Sequence, residues 1–356
     1  MKRACFILLA ILFLVYGYKG YEIVRQYMQD AVTVKTSGRL SEIADKIVAV
    51  PLETPDSGVV RNVKRVQTDE NHLFLIGDQR LLQFDVSGKF VRQLTSSANG
   101  GETFFADYAL DTDHHAVVAI DSQRNICKFD FAGNLLSKAK LEQPWHKLTA
   151  FAYHNGYFWL SAEYFVKNGP NPDTRQIVYG LFQFDSNMNE IACLPLHKAD
   201  VGRDRLFDFC PVDELLADEH GVYAYSSPVD MNSLLTDTLY IMQREEAPFL
   251  YNGGYADAAC IYPVRKGKRF RIATNYQSID NHYTFCYDRT SHTAYVLPKG
   301  FKDDLQKTGY VNSLQPVDVN NNSYCYLKSG ATLSKKITGR AKNSDNPVLF
   351  MVTLKG

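Results

Sequence analysis

Residues 76–92 read Ile-Gly-Asp-Gln-Arg-Leu-Leu-Gln-Phe-Asp-Val-Ser-Gly-Lys-Phe-Val-Arg, and residues 120–136 read Ile-Asp-Ser-Gln-Arg-Asn-Ile-Cys-Lys-Phe-Asp-Phe-Ala-Gly-Asn-Leu-Leu. Both stretches carry an aspartate, then Gln-Arg, then Phe-Asp-x-x-Gly and an apolar pair. The two Phe-Asp pairs lie about 45 residues apart, and a third, weaker copy ends in Phe184-Asp185. A repeat of this length that is built from short strands is typical of a β-propeller blade.

Strand-like apolar patterns extend the repeat into six blades. The first four run over about residues 60–94, 105–141, 148–194 and 206–251. Strands of the fifth are predicted at Phe270–Thr274, His282–Tyr287 and Ala294–Leu297, and those of the sixth at Leu314–Val319, Tyr324–Leu327 and Val348–Leu354. The sixth blade lacks a fourth strand of its own, and Ile47–Glu53 can supply it, which removes an exposed sheet edge. We therefore expect an all-β fold, a six-bladed β-propeller over residues 47–356 whose N-terminal strand closes the last blade.

The N-terminus is typical of export. Met1-Lys2-Arg3 precedes an apolar run of about 15 residues, from Ala4 to Tyr18. This pattern fits a secretory signal and is short for a membrane span, which needs about 20 residues. No Ala-x-Ala cleavage site follows, so an uncleaved anchor remains an alternative. We predict a signal peptide or membrane anchor at residues 1–20, a connector at 21–46, and a location in the periplasm or at the cell surface. In the anchored alternative, residues 4–18 lie in the inner membrane and form the only membrane contact.

The charge balance and the cysteine positions argue against a nucleic-acid partner and a zinc site. The 356 residues contain 39 Lys plus Arg and 39 Asp plus Glu, with no basic stripe, which argues against a nucleic-acid partner. Cys127, Cys193, Cys286 and Cys325 each lie in an apolar strand pattern, so we expect small buried side chains there. No Cys-x-x-Cys spacing supports a zinc site. An exported compartment permits disulfides, whose pairing the spacing leaves open.

Three further stretches carry a family resemblance: Leu40-Ser41-Glu42-Ile43-Ala44-Asp45 followed by Val50-Pro51-Leu52-Glu53-Thr54, the turn from Phe84 to Lys89, and Asp345-Asn346-Pro347-Val348-Leu349. On these residues the chain resembles a family of exported bacterial six-bladed β-propellers that is distantly similar to NHL-repeat propellers. That family often has a Gly-x-Gly-Pro-Gly-Glu loop between its first two blades, where this chain has only Gly100-Gly101-Glu102. The resemblance implies the fold, and most members of the family have no assigned reaction.

Candidate binding residues follow the second strand of each blade, on one face beside the central channel. Asp78 with Arg80, and Asp121 with Arg124, could contact a ligand there. Alternatively, each aspartate bonds its own turn and each arginine pairs with a neighbouring blade. The long loops 164–176, 226–236 and 328–344 should share this face, and loops on a rigid scaffold commonly carry binding. The predicted rim residues are Trp159, Glu163, Asp230 and Tyr276.

The sequence offers no catalytic signature. It contains no Gly-x-Ser-x-Gly, Walker loop, GxGxxG or EF-hand pattern. His114-His115 is the only histidine cluster, and a metal site would need a further ligand from elsewhere. We predict no catalytic residue, metal or cofactor, and non-catalytic binding of a protein, peptide or glycan in the bacterial cell envelope. A propeller hydrolase or lyase with its site at the channel mouth, and a membrane-anchored sensor or assembly module, remain alternatives, because a fold does not determine function.

Overall fold

A computed structural model shows an all-β chain with a propeller arrangement of sheets. The structure describes residues 33–55, 58–96, 101–141, 147–167, 175–200, 215–218, 221–224, 240–242, 259–261, 269–276, 282–318, 322–333, 337 and 346–356. Residues 1–20, with the predicted signal or anchor, lie outside this set. Within it, no helix is long and apolar enough to cross a membrane.

The strands form six sheets and a ribbon. The chain begins with β1 (Thr33–Lys35), helix α1 (Leu40–Ile43) and β2 (Ala44–Pro51). Sheet 1 has β3 (Val66–Thr68), β4 (His72–Gly77), β5 (Arg80–Asp85) and β6 (Phe90–Leu94), and sheet 2 has β7 (Phe105–Asp111), β8 (Ala116–Asp121), β9 (Asn125–Asp130) and β10 (Leu135–Lys140). Sheet 3 has β11 (Lys147–His154), β12 (Tyr157–Lys167), β13 (Arg175–Phe184) and β14 (Glu190–Asp200), and sheet 4 has β15 (Leu215–Asp218), β16 (Gly221–Ala224) and β17 (Tyr240–Met242).

Sheet 5 contains β18 (Ala259–Ile261), β19 (Phe270–Tyr276), β20 (His282–Asp288) and β21 (Thr293–Leu297), with β1 added in parallel to β21. A ribbon of β22 (Phe301–Asp303) and β23 (Gly309–Val311) follows. Sheet 6 contains β24 (Gln315–Asp318), β25 (Ser323–Ser329), β26 (Pro347–Leu354) and β2. Five sheets thus form blades of four or five strands, one fewer than the six predicted, because the described part of sheet 4 has three short strands.

The Phe-Asp repeat builds the turn between the third and fourth strands of sheets 1 to 3. Asp85 Oδ1 accepts hydrogen bonds from the backbone N–H groups of Ser87 (2.9 Å) and Lys89 (3.0 Å). Asp130 and Asp185 make equivalent turns, with donors four residues later at 2.7 and 2.8 Å. Bonds from the side chains of Ser87, Asn134 and Asn189, supported by these backbone donors, hold the pKa of the three carboxyls below the usual range. The repeated aspartate therefore serves the fold.

The ring closes as predicted. Strand β2 pairs antiparallel with β26, from Ala44 opposite Leu354 to Pro51 opposite Val348. Asn346, which is 1% exposed, reinforces the junction. Its Oδ1 accepts from the backbone N–H of Val60 (3.0 Å), and its Nδ2 donates to the Leu52 carbonyl (3.2 Å) and Thr54 Oγ1 (2.8 Å). The two stretches that carried the family resemblance at opposite ends of the chain therefore meet here.

Residues 33–46, which the sequence assigns to a connector, pack against the propeller. Leu40 and Ile43 of α1 are fully buried in an apolar cluster with Tyr295 and Phe301. Lys355 Nζ donates to the Ser41 carbonyl (2.7 Å), so α1 also contacts the C-terminal end of the chain. Strand β1 adds to the edge of sheet 5, and α1 packs against residues of sheets 5 and 6.

Three of the four cysteines in strand patterns are buried as predicted, namely Cys127, Cys286 and Cys325. Burial raises the pKa of the Cys127 thiol to about 11. The prediction is wrong for Cys193, which is exposed. The reason is that β14 is the outermost strand of sheet 3, so its side chains lie at the perimeter.

Gly88→Ala should destabilise the protein by about 1–3 kcal/mol. Gly88 has φ +87°, and a Cβ there would collide with the backbone carbonyl of Pro51 in β2. Gly133→Ala is the matched control, because Gly133 has φ +85° in the equivalent turn but its Cβ would meet only the flexible side chain of Arg92. Met188, with φ 66°, occupies this position in the third repeat, so the turn itself accepts a side chain. Urea unfolding should show a larger loss for Gly88→Ala, and equal losses would contradict a clash with β2.

Candidate functional site

The antiparallel strands give the propeller two faces. Connections that follow the second strand of each sheet (β4, β8, β12, β16, β19 and β25) end on one side, which we call the loop face. The Asp85, Asp130 and Asp185 turns follow third strands and end on the opposite side, the turn face. The predicted loops 164–176, 226–236 and 328–344 lie in the connections from β12, β16 and β25, which start on the loop face, and much of each lies outside the described residues. Two of the predicted bounds are wrong, because residues 164–167 and 175–176 are paired in β12 and β13, and Lys328 and Ser329 belong to β25.

The guanidinium of Arg65 links four sheets at the propeller axis. Nη1 donates to Asp107 Oδ1 (2.9 Å) and to the carbonyls of Tyr108 (2.8 Å) and Phe151 (2.9 Å). Nη2 donates to the Leu215 carbonyl in sheet 4 (2.6 Å). The residue is 7% exposed, so a buried positive charge holds the inner strands of sheets 2, 3 and 4 against sheet 1.

Asp107 completes this axial network. Its carboxylate pairs with Arg65 and accepts from the backbone N–H groups of Tyr108 (2.9 Å) and Phe151 (3.0 Å). Burial raises the pKa of this carboxyl, while Arg65 and the two N–H donors oppose that shift. Neither residue is among those predicted from the sequence. The available signal was the charged pair Lys64-Arg65 between the apolar residues Val63 and Val66.

Asp78 and Arg80 support the chain that enters sheet 1. Asp78 accepts from the backbone N–H of Arg61 (3.2 Å) and from Asn62 Nδ2 (2.8 Å), and it lies 3.6 Å from Arg80. Arg80 is 7% exposed and donates to the Val59 carbonyl (3.3 Å). Asp78 therefore bonds the entering chain instead of its own turn, and Arg80 contacts the same stretch of chain. The ligand-binding role of this pair stays a prediction.

Asp121 bonds its own turn. Its Oδ1 accepts from the backbone N–H groups of Gln123 (2.8 Å) and Asn125 (2.8 Å), and its Oδ2 accepts from Asn125 Nδ2 (2.8 Å). The carboxylate is 3% exposed, and Lys138 Nζ lies 3.7 Å away. Arg124 is half-buried with φ 65°, so it occupies the left-handed position of this turn.

The predicted rim residues are only partly brought together. Trp159 and Glu163 lie on β12, where Trp159 is 5% exposed and Glu163 is half-buried, so Trp159 is a buried residue instead of a rim residue. Tyr276 ends β19 opposite His282, on the loop face. Asp230 lies outside the described residues.

Sheet 3 extends further over the loop face than sheets 1 and 2. β4 and β8, the second strands of sheets 1 and 2, each have 6 residues, whereas β12 has 11. Strands β12 and β13 stay paired as far as Lys167 opposite Arg175, and β14 follows them to Asp200. At about 3.3 Å per residue, five additional residues extend sheet 3 by roughly 16 Å. Within the described part of the chain, no group of three His, Cys, Asp or Glu side chains is placed to bind a metal.

A family model for a domain of unknown function, DUF4934, matches residues 27–252. The chain belongs to the DUF4934 family. The match spans sheets 1 to 4, which include the axial network and the sheet 3 extension, so both features lie in the DUF4934 region. No curated protein matches the chain.

Solved structures support the fold of this DUF4934 protein. A Bacteroides fragilis protein that has been inferred to be exported superposes with a TM-score of 0.62 at 17% identity, covering 91% of this chain and 100% of its own. The dihydro-heme d1 dehydrogenase NirN, in complex with DHE, matches with a TM-score of 0.34 at 11% identity over 66% of this chain and 56% of its own. At these identities the first likeness supports the fold alone, and the second carries no argument.

Proposed function

We propose that this protein is a non-catalytic binding propeller of the bacterial cell envelope, exported by its N-terminal segment, which acts through the loop face on a protein, peptide or glycan. The observation that carries the proposal is the extension of sheet 3. The repeat needs about six residues in the second strand, so the five additional residues in each of β12 and β14 serve another purpose. Surface elements added to a rigid scaffold are where binding residues concentrate.

The axial network also favours action at the face. Arg65 gives its N–H groups to four inner-strand partners, so its charge stabilises the ring at that level of the channel. The alternative function, a hydrolase or lyase with its site at the channel mouth, would need reacting groups other than Arg65, because Arg65 is engaged in these bonds. A membrane-anchored sensor would require residues 4–18 to be retained.

We further propose six blades, similar to those of NHL-repeat propellers. The three strands of sheet 4 occupy the place in chain order between sheets 3 and 5, and β15 packs on β11 as an inner strand. The Leu215 carbonyl of β15 bonds Arg65 at the axis, as the inner strands of sheets 2 and 3 do. Sheet 4 therefore has the position and the axial contact of a blade.

Site-specific photo-crosslinking in intact cells tests the binding function. A photoreactive residue replaces Glu163 or Tyr276 on the loop face, and matched controls replace the exposed Val86 or Asn187 on the turn face. We expect one discrete crosslinked species from the loop-face positions and none from the controls. The same products from both faces, or turnover of a glycoside or ester substrate by the purified protein, would reject non-catalytic binding through this face.

A further inference from the structure

The ribbon of β22 and β23 lies on the loop face between sheets 5 and 6. Strand β21 runs in the same direction as β19, because both are antiparallel to β20, so it also ends on the loop face. The ribbon follows it directly, and Phe301 and Val311 anchor it in the apolar cluster of these two sheets. Sheets 5 and 6 have at least four strands each without the ribbon, so it is an addition to the blade repeat.

Polar contacts hold the ribbon against the N-terminal elements. Asp304 accepts hydrogen bonds from the backbone N–H (3.1 Å) and the hydroxyl (2.6 Å) of Ser41 in α1. Gln306 Nε2 donates to the Ile47 carbonyl in β2 (3.3 Å). The ribbon therefore has a fixed position on the loop face, and a binding surface is most precise on such a rigid element.

The charges of the ribbon are sorted by sign. Residues 299–311 contain two aspartates and three lysines. Asp303 is 2% exposed, and Asp304 is half-buried with its carboxylate bonded to α1. The three lysines are all exposed, namely Lys299, Lys302 and Lys307. Since the whole chain has zero net charge, this surface is a local concentration of positive charge.

An exposed aromatic ring lies among these cations. Tyr310 is 49% exposed and pairs directly with Lys302 across the ribbon. Lys299 Nζ lies 6.0 Å from the centroid of its ring. Arg39, which is also exposed, forms a β-bridge with Lys302 from the other side. We call this group of five residues the ribbon patch: Arg39, Lys299, Lys302, Lys307 and Tyr310.

We propose that the ribbon patch binds an acidic polysaccharide, a chain whose sugar rings carry carboxylate groups. The carboxylates pair with the ammonium and guanidinium groups, and the C–H face of a sugar ring packs on Tyr310. A polymer contacts cations that are spread along the ribbon, so the patch needs no enclosed cavity. This inference rests on the proposed binding function and names the ligand class for this part of the loop face.

Two other anionic partners fit the ribbon less well. An extended peptide adds to a free strand edge. Here the backbone N–H of Lys302 already donates to the Gly38 carbonyl (2.9 Å), and the Tyr310 carbonyl accepts from Lys328 Nζ (2.5 Å). A membrane surface would need several apolar side chains to insert. Leu305, which is 44% exposed, is the one exposed aliphatic side chain in residues 299–311.

Calorimetry with defined oligosaccharides tests the ligand class. The purified protein is titrated with a galacturonate hexamer, a mannuronate hexamer and the methyl ester of the galacturonate hexamer, which keeps the sugar rings but loses the charge. We expect saturable binding of at least one acidic hexamer and none of the ester. Binding should weaken from 0.1 M to 1 M NaCl, because the Debye length falls from about 10 Å to about 3 Å.

Variants with the same change in net charge then assign the site. Lys299→Gln combined with Lys302→Gln should weaken binding about tenfold, and Tyr310→Ala about fivefold. The control combines Lys89→Gln with Lys140→Gln, at exposed positions in sheets 1 and 2, and should change affinity less than about twofold. All five side chains are exposed, so the unfolding midpoints should stay unchanged, which separates lost binding from lost folding.

The inference is overturned if neither acidic hexamer binds, if the methyl ester binds equally well, or if the two double variants have the same affinity. Binding of polyglutamate or of phosphatidylglycerol vesicles in place of the hexamers would also overturn it. Crosslinks from Glu163 or Tyr276 in cells would still support the broader binding function in each of these cases. Loss of both the hexamer binding and the loop-face crosslinks would reject the two proposals together.

Discussion

Arg65→Met should lower the free energy of unfolding by about 3–5 kcal/mol, the largest effect of a single substitution that we expect in this protein. The substitution leaves the buried Asp107 carboxylate without its cationic partner. It also removes the donor to the Leu215 carbonyl, which lies 150 residues later in the chain. A methionine of similar length fills the volume but supplies no N–H group, so the loss is electrostatic and hydrogen-bonding in origin.

Urea unfolding followed by tryptophan fluorescence measures this effect. Arg61→Met, at an exposed position on the same connection, is the control and should change stability by less than about 0.5 kcal/mol. Arg65→Lys should be nearly as damaging as Arg65→Met, because one ammonium cannot reproduce the planar fork of a guanidinium. A loss below about 1 kcal/mol for Arg65→Met would show that the axial network is not a main support of the ring.

Asp303→Asn should cost about 2–4 kcal/mol, the second largest effect. The Asp303 carboxylate is 2% exposed and accepts five hydrogen bonds. They come from the backbone N–H groups of Leu305, Gln306 and Thr308, from Thr308 Oγ1 (2.6 Å), and from the Tyr326 hydroxyl (2.9 Å). An asparagine would turn an NH2 group towards donors, so at least two of these bonds would be lost.

Asp303 should also make the free energy of unfolding depend on pH. Burial raises the pKa of Asp303, but the Thr308, Gln306 and Tyr326 donors outweigh it, so the pKa of this carboxyl lies below the usual range. A lowered pKa in the folded state contributes stability that is present above the unfolded-state pKa of about 3.9 and is lost as the pH falls through the folded-state value. The difference in unfolding free energy between wild type and Asp303→Asn should therefore be large at pH 7 and smaller at pH 3. Asp113→Asn, at an exposed position, is the control; an unchanged difference between wild type and Asp303→Asn across this range would contradict the assignment to Asp303.

The sequence was sufficient for features with a local physical cause. The Phe-Asp turns could be predicted because aspartate and glycine supply the turn geometry within four residues of each other. The pairing of β2 with β26 could be predicted because an unpaired strand at one end of the chain matches a missing strand at the other. The apolar strand patterns around Cys127, Cys286 and Cys325 likewise predicted that these side chains are buried.

Features that depend on distant parts of the chain could not be predicted. The partners of Arg65 lie in three other sheets, and no spacing within the sequence brings them together. Cys193 lies in a strand whose pattern resembles the others, and only its place at the outer edge of sheet 3 exposes it. Trp159 was expected at a rim, but alternation along β12 places it between sheets.

The ring closure described above has a consequence for the timing of folding. Asn346 bonds Leu52 across 294 residues of chain, and β2 cannot find β26 until almost all of the protein has been made. Contacts of such long sequence separation slow folding, because the entropy of closing the loop must be offset before they form. A chain emerging from the ribosome therefore stays open at this seam throughout synthesis. In the exported form that we propose, this last contact would also delay the native state until the chain has crossed the membrane.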